Sequence, residues 1–342
     1  MNNSYDIAII GAGMAGITCA IELQKLGKNV IILEKSRGVG GRMATRRLFE
    51  TIADHGTCYL SPKQPQFQAV FDRLIDAKVV TTWTNTISIL APDGQLLKDP
   101  DLCPRYIAPG GMSSIAKYLS VGLDIRLNQK AIGIESVGDG WRIAIDGDTL
   151  TEIFAQTLIS TVPAPQAVDL LAPVEDILPI EIIEQLRSVK FAPCISVMVS
   201  YTPAQLSHWY AHYPNVKAVT CAGDPNLAWL GVDSSKRDPA APPVFVLQST
   251  ADFAERYTAP NTSQLATTAL LIHAGERFLP WLSRPQWQQT QVWRYAFAKN
   301  PLKVPYLQIK HPASLILTGD WCGGSKVENA VIAGLAVAEL FR

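Results

Sequence analysis

The chain has 342 residues, 48% hydrophobic and 18% charged, which is enough to bury large cores and to form two domains. Thirty basic and thirty acidic residues cancel to a formal net charge of zero, and no Lys/Arg cluster is longer than the Arg46, Arg47 pair, so nucleic acid is excluded as an expected partner. The six cysteines, at 19, 58, 103, 194, 221 and 322, make no CxxC pair and no zinc spacing; MNNSYD carries no basic leader and no apolar run reaches roughly 18 residues, so a reducing cytoplasmic setting without a membrane span is expected.

The first element is read in IAIIGAGMAGIT. A β-branched strand, Ile7 to Ile10, passes through Gly11, Ala12, Gly13, Met14, Ala15 and Gly16 into a helix-forming stretch, Cys19 to Leu26. Gly11 allows the tight turn, Gly13 lets the backbone approach a pyrophosphate, and Gly16 lets the helix pack on the strand. Phosphates would sit at the positive end of that helix. The second strand, Asn29 to Leu33, ends at Glu34, whose carboxylate can accept from both hydroxyls of an adenosine ribose and disfavours a 2′-phosphate. An ordinary βαβ unit would also use such glycines, and nicotinamide and flavin dinucleotides both fit the pattern.

Next comes KSRGVGGRMATRRL, in which glycine-rich backbone holds Arg42 where it can pair with a pyrophosphate; taken alone it is a basic turn. ADHGTCYL leads to a predicted helix, Gln66 to Ala77, and IAPGGMSSIAKYLSVGL adds a second glycine turn and helix. From about 123 to 160 the pattern is β, with DGD as a hairpin turn, and TLISTVPAP closes on two prolines. RDPAAPPV reads as a surface loop before a strand, Val244 to Thr250. In the last block, LILTGDWCGGSKVENAVIAGLAVAELF, strand Ser314 to Thr318 delivers Gly319 and Asp320, and a helix begins near Val327. Ligands of open α/β sheets bind at the carboxyl ends of strands, so this strand and helix are expected to return to the first sheet.

Taken together, GAGMAG, Glu34, GGRMATRR, DHGTCY, PGGMSSIAKYL and the terminal GD-to-helix block resemble the FAD-dependent amine oxidase superfamily. Within it, GRMATRR, NLAWLGVDSSKRDP with VFVLQSTADFAERY, and QVWRYAFA look most like the renalase-like branch. The resemblance implies an α/β fold in which a Rossmann-like FAD-binding domain (1–75, 105–165 and 293–342) is joined to a discontinuous α+β substrate domain (76–104 and 166–292) built on an antiparallel sheet. It implies noncovalent FAD held by Gly11, Ala12, Gly13, Met14, Ala15, Gly16, Glu34, Lys35, Gly41, Arg42, Met43, Gly56, Thr57, Cys58, Tyr59, Ala131, Gly319, Asp320, Val327, Glu328, Asn329 and Ala330. The backbone N–H groups of the last four would stabilise a reduced flavin.

Cys58 and Cys322 invite a covalent reading beside a flavin, although neither lies in a SGGCY-like segment, and buried thiols are usually inert. His55, in DHG, could polarise a substrate or make a structural hydrogen bond. Tyr59, Trp229 and Trp293 are candidates for the substrate cavity, with core packing the plain alternative. His208 and His212 have metal-ligand spacing but no third ligand, so a solvated or packed pair is expected and no metal. Asp233, Ser234, Ser235, Lys236 and Arg237 form a polar loop usable for a substrate phosphate or amide, or else a solvated turn.

The renalase-like resemblance implies an oxidase that takes a hydride from 2- or 6-dihydroNAD(P) to give NAD(P)+, with dioxygen reduced to hydrogen peroxide. Such a transfer needs orientation rather than a protein acid or base, in line with the lack of an evident acid/base pair. The alternatives are a flavin amine oxidase, which would need paired aromatics where GDWCGGSKVE offers only Trp321, a carotenoid-type desaturase, and a non-enzymatic flavin-binding protein.

Overall fold

A computed structural model describes every residue except 1–3, 49, 150, 238–240 and 260. Strand Ser4–Ile10 occupies the middle of an eight-stranded sheet. Its apolar half is buried on both faces, as parallel strands under helical layers require. Ile7 and Ile9 pack on the helices Met14–Lys25 and Val327–Ala338, while Ala8 and Ile10 face a second core with Trp141 and Ile143.

The strand's parallel neighbours are Val30–Leu33 and Glu152–Ser160. The latter is shared lengthwise: residues 152–155 pair antiparallel with Gly140–Gly147, and 157–160 pair parallel with Ser314–Leu317. The last strand therefore does return to the first sheet. The last helix closes on the first one so tightly that a Cβ at Gly334 would lie 2.4 Å from the Ala15 carbonyl oxygen.

A second, seven-stranded sheet runs in the order Trp287–Ala298, Phe191–Ser200, Val244–Ser249, Leu227–Val232, Ala218–Thr220, Ser88–Leu90, Leu96–Lys98. Its long first strand continues across residue 293, where the last flavin segment was expected to begin. The strand after RDPAAPPV is present, whereas residues 238–240 of that loop lie outside the described residues. Helix Pro65–Asp76 forms one residue earlier than predicted, with proline in its first turn and Phe67, Phe71 and Leu74 spaced to bury one face. Among the described residues no helix is long and apolar enough to cross a membrane.

Candidate active site

A cavity of about 2000 Å3 lies at the carboxyl ends of the parallel strands and reaches the second sheet. Gly11, Gly13, Met14, Ala15, Glu34, Lys35, Gly41, Arg42, Met43, Gly56, Thr57, Cys58, Tyr59, Gly319, Asp320, Val327, Glu328 and Ala330 line it, joined by His55, Trp229 and Trp293. The fold thus gathers into one wall system residues that the sequence spreads over more than 300 positions.

Four expected contact residues do not line it. Gly16 is set back, where a Cβ would meet the Gly11 oxygen at 2.1 Å, so its glycine serves packing. Ala12 is fully buried. Asn329 is turned toward its own helix start, accepting from the Lys326 amide at 3.2 Å and donating to the Gly323 oxygen at 3.2 Å. Ala131 is in register with Ile145 on strand Gln129–Val137, packed against the core.

The polar groups around the glycine turn are held from several directions. Glu34 accepts from the Ala12 amide at 2.9 Å and the Ser36 amide at 2.8 Å, drawing turn and loop together. Thr161, which sequence reasoning missed, donates to the Ile10 and Gly11 oxygens, each at 3.0 Å. Arg42 donates to Asp320 at 2.5 Å and to the Ala296 oxygen at 3.1 Å, so a residue of the first loop is fixed by the last strand's end. Glu328, also buried, accepts from the Lys63 and Gln64 amides at 2.9 and 3.1 Å, just ahead of helix Pro65–Asp76. Open space at Gly13, where a Cβ would meet nothing within 4 Å, together with a helix N-terminus, a carboxylate at Glu34 and a guanidinium at Arg42, is a donor and acceptor set that fits a dinucleotide.

Toward the second sheet the wall becomes aromatic. His55 stacks on Trp293 with ring centroids 5.3 Å apart and an 18° interplanar angle, and the indole N–H donates to the His55 carbonyl oxygen at 2.9 Å. Burial, reinforced by the charge of Arg46 and only partly opposed by Asp54, brings the His55 pKa down to about 4, so the ring is neutral at pH 7. Tyr59 lies 5.6 Å from Trp229 at 35°, with the Arg105 guanidinium 5.7 Å from its ring. Gln248, another residue not foreseen, donates to the Gly56 oxygen at 2.7 Å. Burial pushes the Cys58 and Cys322 thiols up to about 12, far from the thiolate that nucleophilic attachment needs.

Residues 233–237 correct the sequence reading, since they are neither a solvated turn nor a ligand loop. Asp233–Lys236 is a short 3-10 turn whose charges are buried. Lys236 donates to Asp233 at 2.6 Å and Asp54 at 3.1 Å, while Arg237 donates to the same two carboxylates at 2.6 and 2.8 Å. Thr45 and the Met112 amide complete the shell of Asp54 at 2.7 and 2.8 Å. Ser235 accepts from the Trp83 indole at 3.0 Å. His208 and His212 share helix Pro203–His212, where the first ring centroid is 6.5 Å from Trp281 and the second 4.6 Å from Tyr213.

Residues 9–74 match the family model of an NAD(P)-binding Rossmann-like domain, and residues 88–340 that of a flavin containing amine oxidoreductase. The chain therefore belongs to the flavin-containing amine oxidoreductase family, and FAD is its cofactor. It is 33% identical over 120 residues to a "Possible lysine-specific histone demethylase 1" of Drosophila melanogaster, covering 34% of this chain and 13% of that protein. To putrescine oxidase of Kocuria rosea it is 32% identical over 90 residues, covering 26% of this chain and 19% of the relative. These matches span less than a fifth of the relatives' lengths. Over whole chains, the structure of putrescine oxidase bound to putrescine superposes with a TM-score of 0.71 at 15% identity and 98% coverage of both chains. Cyclohexylamine oxidase from Brevibacterium oxydans IH-35A gives 0.69 at 12% identity, also with 98% coverage of both. At such identities the likeness is one of fold.

Proposed function

We propose that the chain is an FAD-dependent oxidase of the renalase-like kind, taking a hydride from 2- or 6-dihydroNAD(P) isomers to form NAD(P)+ and using dioxygen as electron acceptor with hydrogen peroxide as product. The observation that carries this reading is the fate of the only aromatic in GDWCGGSKVE. Trp321 is fully buried with its indole donating to the Val162 oxygen at 3.1 Å, while Lys326 takes the cavity-lining place ahead of the last helix. A cation there is a poor neighbour for a protonated amine.

When bound, FAD accepts the hydride and passes two electrons to dioxygen. The protein's part is to orient and to exclude. Gly11, Gly13, Glu34, Arg42 and Asp320 are suited to hold the adenosine and pyrophosphate, and the start of helix Val327–Ala338 supplies N–H groups unpaired within the helix. The protonated, buried thiols favour a noncovalent cofactor. Trp293, His55, Tyr59 and Trp229 offer flat faces for a dihydropyridine ring, and a neutral His55 neither donates charge nor needs to take up a proton. In this reading the two domains keep the segments expected from sequence except at residue 293, where strand Trp287–Ala298 extends the second sheet and carries Trp293 into the site.

A flavin amine oxidase is the second reading, favoured by the Tyr59 and Trp229 pair and by the amine oxidases among the relatives. Anaerobic mixing separates them. With 2- or 6-dihydroNAD(P) the flavin should bleach quickly and yield NAD(P)+, with 4-dihydro NADH and with amines far more slowly. Fast bleaching by an amine, with the nicotinamide isomers inert, would select the second reading.

A further inference from the structure

Arg46 stands on the short strand Thr45–Arg47 and lines the cavity half-buried. One terminal nitrogen donates to the Gln291 side-chain oxygen at 3.0 Å, from the long strand of the second sheet. Its Nε is shut away from solvent without a partner among the described residues. Other buried or half-buried guanidinium groups of this chain are charge-paired: Arg42 with Asp320, Arg105 with Asp99, Arg237 with Asp54 and Asp233. Arg46 has no carboxylate partner among the described residues. Holding a cation partly out of water with no counter-charge is unfavourable, and an anion arriving from outside the chain would relieve it.

A second orphan lies beside it. His55 is 4% exposed, and its Nδ1 is buried and unpartnered among the described residues. Its ring is held flat against Trp293, leaving it little freedom to seek a partner within the fold. The charge of Arg46 is close enough to depress the basicity of this imidazole. Both residues line the cavity, and Gln291 and Trp293, which hold them, come from one strand.

We propose that Arg46 and His55 form an anion subsite in the substrate half of the cavity. The Arg46 guanidinium and a neutral His55 imidazole donate N–H groups to a phosphate or carboxylate oxygen of the molecule bound there. A guanidinium presents its N–H groups in a fixed fork suited to such oxygens. The subsite selects anionic substrates over cationic ones, whichever compound is oxidised.

The test uses the FAD-loaded protein, titrated separately with inorganic pyrophosphate and with benzoate and followed by flavin absorbance and tryptophan fluorescence. Saturable binding of at least one anion is expected, weakened about tenfold or more in Arg46→Gln and less in Arg46→Lys, which keeps the charge. Binding of pyrophosphate marks a phosphate source and binding of benzoate a carboxylate source. His55→Gln, whose FAD content can be compared with the parent's, provides a second variant should Arg46→Gln fold poorly; it too should weaken the anion. Binding of neither anion to the parent, or equal affinity in parent and variants, overturns the subsite. Dihydronicotinamide bleaching of the same samples keeps the ideas apart: an Arg46-dependent anion site in a protein that no dihydronicotinamide bleaches leaves the subsite standing and removes the proposed reaction, and the reverse result does the opposite.

Discussion

Lys236 reaches Asp54 at 3.1 Å across 182 residues of chain, and both side chains are almost wholly shut off from water. With Asp233 and Arg237 the two make a balanced set of two carboxylates and two cations that fastens the short strand Ile52–Asp54, and with it His55, to the turn after strand Leu227–Val232. Burial by itself would raise the Asp54 carboxyl; Lys236 and Arg237, helped by Met112 and Thr45, outweigh it and hold the pKa below the usual range.

Lys236→Met should lower the unfolding free energy by about 3 to 5 kcal/mol, because it leaves two buried carboxylates to share one guanidinium. Urea unfolding followed by circular dichroism measures this. A loss below about 1 kcal/mol would mean that water reaches the network.

Acid should weaken the fold in two stages. The His55 pKa is brought down to about 4 from 6.5, so the unfolded chain binds a proton that the folded chain refuses; the contribution is complete above pH 6.5 and is lost as pH falls toward 4. Asp54, also depressed, adds its own loss only below its ordinary 3.8. Melting temperatures from pH 7 to 4 should flatten in His55→Phe, and an unchanged slope would contradict the assignment.

Arg42→Lys should release FAD about tenfold more readily or worse, since an ammonium cannot reproduce a fork that meets Asp320 and the Ala296 oxygen while facing the cavity. The FAD-to-protein absorbance ratio after dialysis gives the answer. Parent-like retention would place the pyrophosphate elsewhere.

Trp293→Ala removes both the stack on His55 and the bond to its carbonyl, freeing one wall of the substrate half. Flavin bleaching should slow by up to about a hundredfold while FAD content stays near one per chain, because misplacement near 1 Å is enough to cost that much. Loss of FAD in parallel would instead make Trp293 a structural support.

What sequence made legible was local. The strand, glycine turn and helix at Ile7 to Leu26 announce themselves within twenty residues, and Asp320 follows its strand directly. The 233–237 loop was not legible, because five polar residues in a row look solvated when the carboxylate that neutralises them, on Asp54, lies far back in the chain. Glu328 and Asn329 were expected at the cofactor through their backbone N–H groups and do lie at the helix start; what their side chains do there, Glu328 accepting from two distant amides and Asn329 capping its own helix, depends on where Lys63, Gln64 and Gly323 come to rest. Arg46 carried no distinguishing signal in the sequence beside Arg47; what separates the two is its burial and its bond to Gln291, 245 residues away.

The shared strand Glu152–Ser160 and the clasp between Arg42 and Asp320 also impose an order on biosynthesis. Strand Ser4–Ile10 can pair with Val30–Leu33 early but meets its other neighbour only after Phe154 and Ser160 emerge, and Asp320 is joined 278 residues after Arg42. At about 5 to 20 residues per second this is a wait of roughly 15 to 55 s. During it the apolar first strand and its glycine turn are on the ribosome without the last helix that covers them. The Asp320 end of the clasp is accordingly a late arrival, and the parallel part of the sheet is completed only when Ser314–Leu317 pairs with residues 157–160.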